Sequence, residues 1–139
     1  MKFYRGKLLD YVNLKVRDLN RSREFYKSII ESLGHTLSAE ENTFFTIDEL
    51  MVTEDPTVSQ SIHLAFQATS PASVKLFYKT ALQHGGMPKG EPGEIGQHIG
   101  HYSAFVLDPD GNIIEAVYHG PLSRSVPNHE IYPSRSLGA

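Results

Sequence analysis

Residues 9–34, LDYVNLKVRDLNRSREFYKSIIESLG, and residues 61–86, SIHLAFQATSPASVKLFYKTALQHGG, are two versions of one pattern. At an offset of 52 residues Phe25, Tyr26 and Lys27 fall on Phe77, Tyr78 and Lys79, and Gly34 falls on Gly86. The identities are few, so the shared pattern carries the comparison. Each segment opens with a strand-like alternation. In the first, Val12, Leu14 and Val16 share one face, and Tyr11, Asn13 and Lys15 the other. In the second, Ile62, Leu64 and Phe66 oppose His63, Ala65 and Gln67. Apolar residues then recur three and four apart: Phe25, Tyr26, Ile29, Ile30 and Leu33 in one helix, Val74, Phe77, Tyr78, Ala81 and Leu82 in the other. Ser70 suits an N-cap, Pro71 the first helical position, and Gly85 or Gly86 the closing left-handed turn. Asp18 or Asn20 is the corresponding cap of the first helix. A β-α pattern present twice predicts a duplicated module, since a solenoid needs more copies.

Outward from the repeat, residues 35–39, 43–47 and 50–53 alternate between polar spacers and read as short antiparallel strands. Residues 87–100, rich in Gly, Pro and Glu, read mostly as a loop with room for one short strand. Residues 102–107 and 112–119 form the clearest hairpin, because Asp108-Pro109-Asp110-Gly111 between them has the chemistry of a tight turn. The tail, residues 120–139, holds three prolines and little periodicity; it is read as either disordered or wrapped on a partner.

A chain of 139 residues with 40% hydrophobic and 21% charged side chains fits one compact domain rather than a disordered segment. The net charge of −3 gives no reason to expect nucleic acid as a partner, which normally demands clustered excess Lys and Arg. There is no cysteine, so neither a disulfide nor a thiolate metal site holds the fold. Lys2 and Arg5 precede no apolar run of signal-peptide length, and nothing approaches a membrane span. The expectation is a cytoplasmic protein without a membrane partner.

Within NIIEAVYH, residues 112–119, period two places Ile113, Glu115, Val117 and His119 on one face. Glu115 is an acid in the middle of an apolar strand. Buried, it requires a cation, a metal or hydrogen-bond donors; on an edge strand it is simply solvated. His63 lies on the polar face of its own strand, where a histidine is more often hydrogen-bonded than a ligand. Together, imidazole and carboxylate suit iron, manganese, nickel or zinc if the fold joins their strands. No phosphate-cradling glycine loop, GxSxG turn or cysteine nucleophile competes with them.

The openings DYVNLKVRDLNRSREFYKSIIESLG and HLAFQATSPASVKLFYKTALQHGG, with the ending HYSAFVLDPDGNIIEAVYH, resemble the vicinal-oxygen-chelate superfamily of glyoxalases, bleomycin-resistance proteins and extradiol dioxygenases. DPDGN-x-x-E is the most specific part. The resemblance implies an α+β fold of two βαβββ modules, about 8–54 and 61–119, within one domain spanning residues 1–119. It further implies a curved mixed sheet forming a cleft, with helices on the convex side. Carried over by position, the second-module metal ligand falls on His63 and the terminal one on Glu115, which is also the candidate catalytic base. The first-module ligand position falls on Tyr11, a departure, because a phenol of pKa ~10 ligates well only when a strongly acidic metal deprotonates it. The fourth family position falls near residues 50–53, where no carboxylate aligns, although Glu49 and Glu54 flank the stretch. Asn13 and Gln67 are expected on the cleft face. In relatives with a similar HxGxY run, His98 and Tyr102 approach the cleft; a solvated loop is the alternative for His98 and His101.

The resemblance implies a lyase, isomerase or dioxygenase that acts on a small oxygenated substrate with one divalent metal (Zn, Ni, Mn or Fe). With Tyr11 at a ligand position, the alternative is no metal and an antibiotic-like small-molecule binding protein using the same cleft. Phe44, Phe45, Phe66, Tyr102 and Phe105 supply aromatic surface for that reading, although several belong more naturally to the core. The resemblance also implies a homodimer that completes its clefts across the subunit interface.

Overall fold

In a computed structural model, residues 8–95 and 101–120 are described. They form β1 (Val12–Val16), α1 (Leu19–Ser32), β2 (Ala39–Glu40), β3 (Phe44–Ile47) and β4 (Leu50–Glu54). Then follow β5 (His63–Gln67), α2 (Pro71–Gln83), β6 (Met87–Glu94), β7 (Tyr102–Leu107) and β8 (Ile113–Tyr118). The order βαβββ occurs twice, as the internal repeat requires. The tail, apart from Gly120, lies outside the described residues.

Each module makes its own four-stranded mixed sheet, in the orders β1-β4-β3-β2 and β5-β8-β7-β6. The first strand runs parallel to the last, and the remaining pairs are antiparallel. No ladder joins the two sheets among the described strands, so each of the two expected βαβββ modules contributes its own open mixed sheet. Leu14, Val16, Phe45, Ile47 and Val52 are buried with Phe25, Tyr26, Ile29 and Ile30 of α1. Ala104, Val106, Ile114 and Ala116 are buried on the side of α2, with Val74, Phe77 and Ala81. Alternation therefore assigns one face of each sheet to a helix and leaves the other open.

Asp18 caps α1 by accepting from the Arg21 amide at 3.1 Å, and Ser70 caps α2 through the Ser73 amide at 3.0 Å. Each such cap contributes about 1 kcal/mol. Gly34 and Gly85 take the left-handed turn, with φ of 90° and 99°. Gly86, the residue aligned with Gly34, serves another purpose. A Cβ there would stand 2.8 Å from the Phe25 ring and 2.9 Å from the Ala81 carbonyl oxygen, so it is the place where α1 meets the end of α2.

The stretch read mostly as a loop contains the eight-residue strand β6. Its composition hid it: Pro88, Gly90, Pro92 and Gly93 all weaken strand propensity, and its register shifts between Pro88 and Gly90 and between Gly90 and Gly93. An edge strand tolerates this because only one side must bond to a neighbour. Gly90 also leaves space for Phe105, whose ring would lie 3.1 Å from an added Cβ.

The two modules meet through α1 against α2 and through the turn between β7 and β8. One oxygen of the buried Asp108 carboxylate accepts from the Asp110 and Asn112 amides at 2.9 and 2.8 Å, shaping the turn. The other accepts from Tyr26 Oη of α1 at 2.5 Å and from Asn112 Nδ2 at 3.2 Å. Asn112 Oδ1 in turn accepts from the Ile62 amide at 3.1 Å, fixing the start of β5 just before His63. The DPDGN turn thus closes a hairpin, clasps module one and sets β5 beside β8.

Candidate functional site

β8 lies between β5 and β7, so Glu115 is on a central strand and the solvated-edge reading fails. Register puts Glu115 opposite Ala65 on one side and Phe105 on the other. The open face around it holds His63, Ala65 and Gln67 of β5, Ile113 and Val117 of β8, and Ser103 and Phe105 of β7. Its side chain is only 13% exposed, which leaves little bulk water to stabilise a carboxylate. Two protein groups act instead. His63 Nε2 lies 2.9 Å from Oε1, and Ser103 Oγ donates to Oε2 at 2.7 Å. The His63 side chain is half exposed, and its ring stands edge-on to Phe105 at 6.1 Å between centroids.

His63 and Glu115 are therefore brought together, at the diagonal separation that a parallel β5–β8 pair allows. Their spacing also fits shared coordination of a cation. Bonds of about 2.0–2.2 Å from imidazole nitrogen and carboxylate oxygen, set near a right angle, put those atoms about 3 Å apart. The pair alone is short of a full donor set, and no group of three or more His, Asp or Glu side chains suited to a metal occurs among the described residues.

Other candidates are placed differently. Tyr11 precedes β1 on the other sheet and is 59% exposed. Asn13 donates through Nδ2 to the Met51 carbonyl at 3.1 Å and to Thr53 Oγ1 at 3.0 Å, tying β1 to β4. No hydrogen bond joins either to His63 or Glu115 among the described residues. Gln67 shares the open face with His63 and Glu115. Tyr102 faces the other way: it alternates with Ser103, packs against the core, and has Lys75 Nζ of α2 5.9 Å from its ring centroid. The expected approach of Tyr102 to the cleft is thus corrected by strand alternation. His98 lies outside the described residues. His101 packs edge-to-face on His119 at 4.9 Å. Glu54 accepts from the Leu19 amide at 2.9 Å at the start of α1, a stabilising place for a carboxylate. Among the aromatic candidates, Phe45 is core and Phe66 packs on it, while Phe44 and Phe105 alternate to the open faces.

Ser103 was not singled out from the sequence, yet the signal was there. The turn centred on Asp110 pairs Phe105 with Glu115 and Ser103 with Val117, so the one small hydroxyl of YSAFVL falls diagonal to the acid. A separate pocket of about 180 Å³, lined by Arg17, Asp18, Arg21, Ser22, Pro109 and Asp110, opens at the junction of the modules. Its two arginines are matched by two aspartates, and it contains neither His63 nor Glu115.

The model of the glyoxalase/bleomycin resistance protein/dioxygenase superfamily matches residues 8–116. A glyoxalase/bleomycin resistance protein from Albidiferax ferrireducens T118 is similar at 28% identity and a TM-score of 0.65, covering 81% of this chain and 99% of that one. A glyoxalase-related enzyme from Fulvimarina pelagi, at 17% identity, shares the fold with a TM-score of 0.66 over 90% of this chain and 96% of its own. A family enzyme from Burkholderia phytofirmans PsJN does so at 18% identity and 0.63, over 79% and 97%. Comparison with curated proteins returned no match. With a family model spanning both modules and the ending that carries Glu115, the chain belongs to the glyoxalase/bleomycin resistance protein/dioxygenase superfamily.

Proposed function

We propose that the protein is a divalent-metal-dependent enzyme of the lyase, isomerase or dioxygenase kind. It takes a small oxygenated substrate on the open face of its second sheet. The observation that carries this reading is the 2.9 Å pairing of His63 Nε2 with Glu115 Oε1, an imidazole and a carboxylate with the separation of adjacent ligands. Zinc, nickel, manganese or iron suits this nitrogen–oxygen pair. When bound, such a cation supplies Lewis-acid polarisation of a substrate held through neighbouring oxygens. Glu115 contributes the negative charge that holds the cation and a basic oxygen beside the substrate. Ala65, Phe105, Ile113 and Val117 lower the local polarity, which strengthens every charge interaction at the face.

The protein works as a homodimer in this reading, with module one of a second copy laid over the open face of module two. Tyr11 and Asn13 of that copy would bring the missing polar groups. The exposure of Tyr11 and Val12 at the start of an edge strand supports this arrangement, as does the lack of a ladder between the two sheets among the described residues.

The test is elemental analysis and titration calorimetry of untagged protein with Zn²⁺, Ni²⁺, Mn²⁺ and Fe²⁺. About one equivalent is expected to bind, and His63→Ala or Glu115→Ala is expected to weaken it at least ~10-fold. Substoichiometric metal that neither substitution alters contradicts the reading.

A second reading, a metal-free small-molecule binding protein, is favoured by one observation: His63 and Glu115 already satisfy each other, with Ser103 completing the carboxylate. There the pair anchors a polar group of the ligand and Phe105 stacks on its ring. Ligand-induced melting shifts that are insensitive to chelator distinguish it from the first.

A further inference from the structure

We infer that the pocket at the junction of the modules binds a small zwitterion, an amino acid, with its ammonium inward and its carboxylate at the rim. The inference is independent of the proposed function, since neither His63 nor Glu115 lines this pocket. Two elements build it. The start of α1 brings Asp18, Arg21 and Ser22, with Arg17 just before it, and the β7–β8 turn brings Pro109 and Asp110.

The inner wall lacks hydrogen-bond donors. Ser22 is 1% exposed, and its hydroxyl has no hydrogen-bond partner among the described residues. Such groups are rare in folded proteins, because an unpaired buried hydroxyl is costly. The Asp110 side chain is 5% exposed, and its carboxylate meets only the Arg17 amide at 3.3 Å and Arg17 Nε at 3.8 Å. Both contacts are longer than the about 2.7–2.9 Å of a good charge-assisted bond. A nearly buried carboxylate and an unpaired hydroxyl therefore share one cavity, and both can accept from an ammonium.

The rim has the opposite character. The Arg17 side chain is 75% exposed, and Arg21 is exposed with no side-chain partner among the described residues. A bare anion is disfavoured here, because Asp18 and Glu54 already accept from the Arg21 and Leu19 amides at the helix end. A bare cation is disfavoured by the two arginines. Two positive and two negative side chains suit a molecule that carries both charges. At about 180 Å³ the pocket is smaller than the ~300–1,000 Å³ that takes drug-sized ligands, which restricts the occupant to a few heavy atoms. Because α1 belongs to module one and the turn to module two, the ligand bridges them beside the Tyr26–Asp108 contact.

The experiment follows backbone amide resonances of isotope-labelled protein during titration into the millimolar range. The probes are glycine, L-alanine and L-serine, against acetate and methylamine, which carry one charge each. Saturable shifts at the Arg21, Ser22, Asp110 and Gly111 amides are expected with at least one amino acid, and not with the single-charge probes. Arg21→Ala is expected to weaken binding about 10-fold or more, and Asp110→Asn similarly. Arg21 is exposed, so its variant serves if Asp110→Asn folds poorly. Ser22→Ala is expected to weaken binding less, about 2–10-fold, yet to leave the melting temperature of ligand-free protein unchanged or higher. No saturable shift with any of the three amino acids, the result for a pocket that holds water only, overturns the inference. Equal shifts with acetate or methylamine overturn it too, as does affinity unchanged in both Arg21→Ala and Asp110→Asn.

Discussion

At the scale of the residue, a buried polar contact away from the open face holds the modules together. Tyr26 is fully buried, and its hydroxyl reaches Asp108 at 2.5 Å across the module boundary. Burial, then the negative charge of Asp108, push the phenol well above its ordinary value. As pH rises through ~10 the unfolded chain releases this proton while the folded one keeps it, so stability falls with pH in that window. Tyr26→Phe removes the hydrogen bond to a charged partner, at a cost of about 1.5–3 kcal/mol near neutral pH. It also removes the tyrosine's share of the alkaline loss. Urea unfolding at neutral pH and above ~10 checks both: the gap between wild type and variant should narrow as pH rises. His63 and Glu115 were legible as candidates from strand alternation and resemblance. Their mutual bond was not, because it depends on β5 lying next to β8, which no local pattern states. Tyr102 was misplaced for a related reason: the resemblance pointed to the cleft, whereas alternation from Ser103 points to the helix.

At the scale of the element, the repeat made most of the architecture readable. The caps at Asp18 and Ser70, the proline at the start of α2 and the left-handed glycines stand where their local chemistry puts them. β6 escaped because its evidence is tertiary: a bulged, proline-bearing edge is stabilised by β7, not by its own residues. The alignment of Gly34 with Gly86 was likewise true of the sequence but not of the geometry, where Gly85 makes the turn and Gly86 makes the contact. Gly86→Ala should therefore be severe for a backbone with no positive φ. Its methyl would need the Phe25 ring and a helix carbonyl to yield, and overpacking of this sort costs about 1–3 kcal/mol. Gly93→Ala, with nothing within 4 Å of the added carbon, should be nearly neutral by comparison. Thermal melts of the two variants decide it.

At the scale of the molecule, no ladder joins the two sheets among the described residues, and the proposed function adds a second copy of the chain to complete the site. Light scattering coupled to size exclusion is expected to give the mass of a dimer. Tyr11→Glu, which places a charge at the proposed seam, is expected to shift it toward monomer and to weaken metal uptake together. A monomeric wild type that still binds metal contradicts the dimeric arrangement alone. The described chain contains no helix long and apolar enough to cross a membrane.

The central claim, that His63 and Glu115 jointly hold a divalent cation, is tested most directly by anomalous scattering. Crystals of untagged protein grown with Zn²⁺ or Mn²⁺ should be measured on either side of the metal's absorption edge. The account predicts one peak per chain within bonding distance of His63 Nε2 and Glu115 Oε1, with Oε2 still held by Ser103. No peak there, with His63 and Glu115 still hydrogen-bonded to each other, would contradict it.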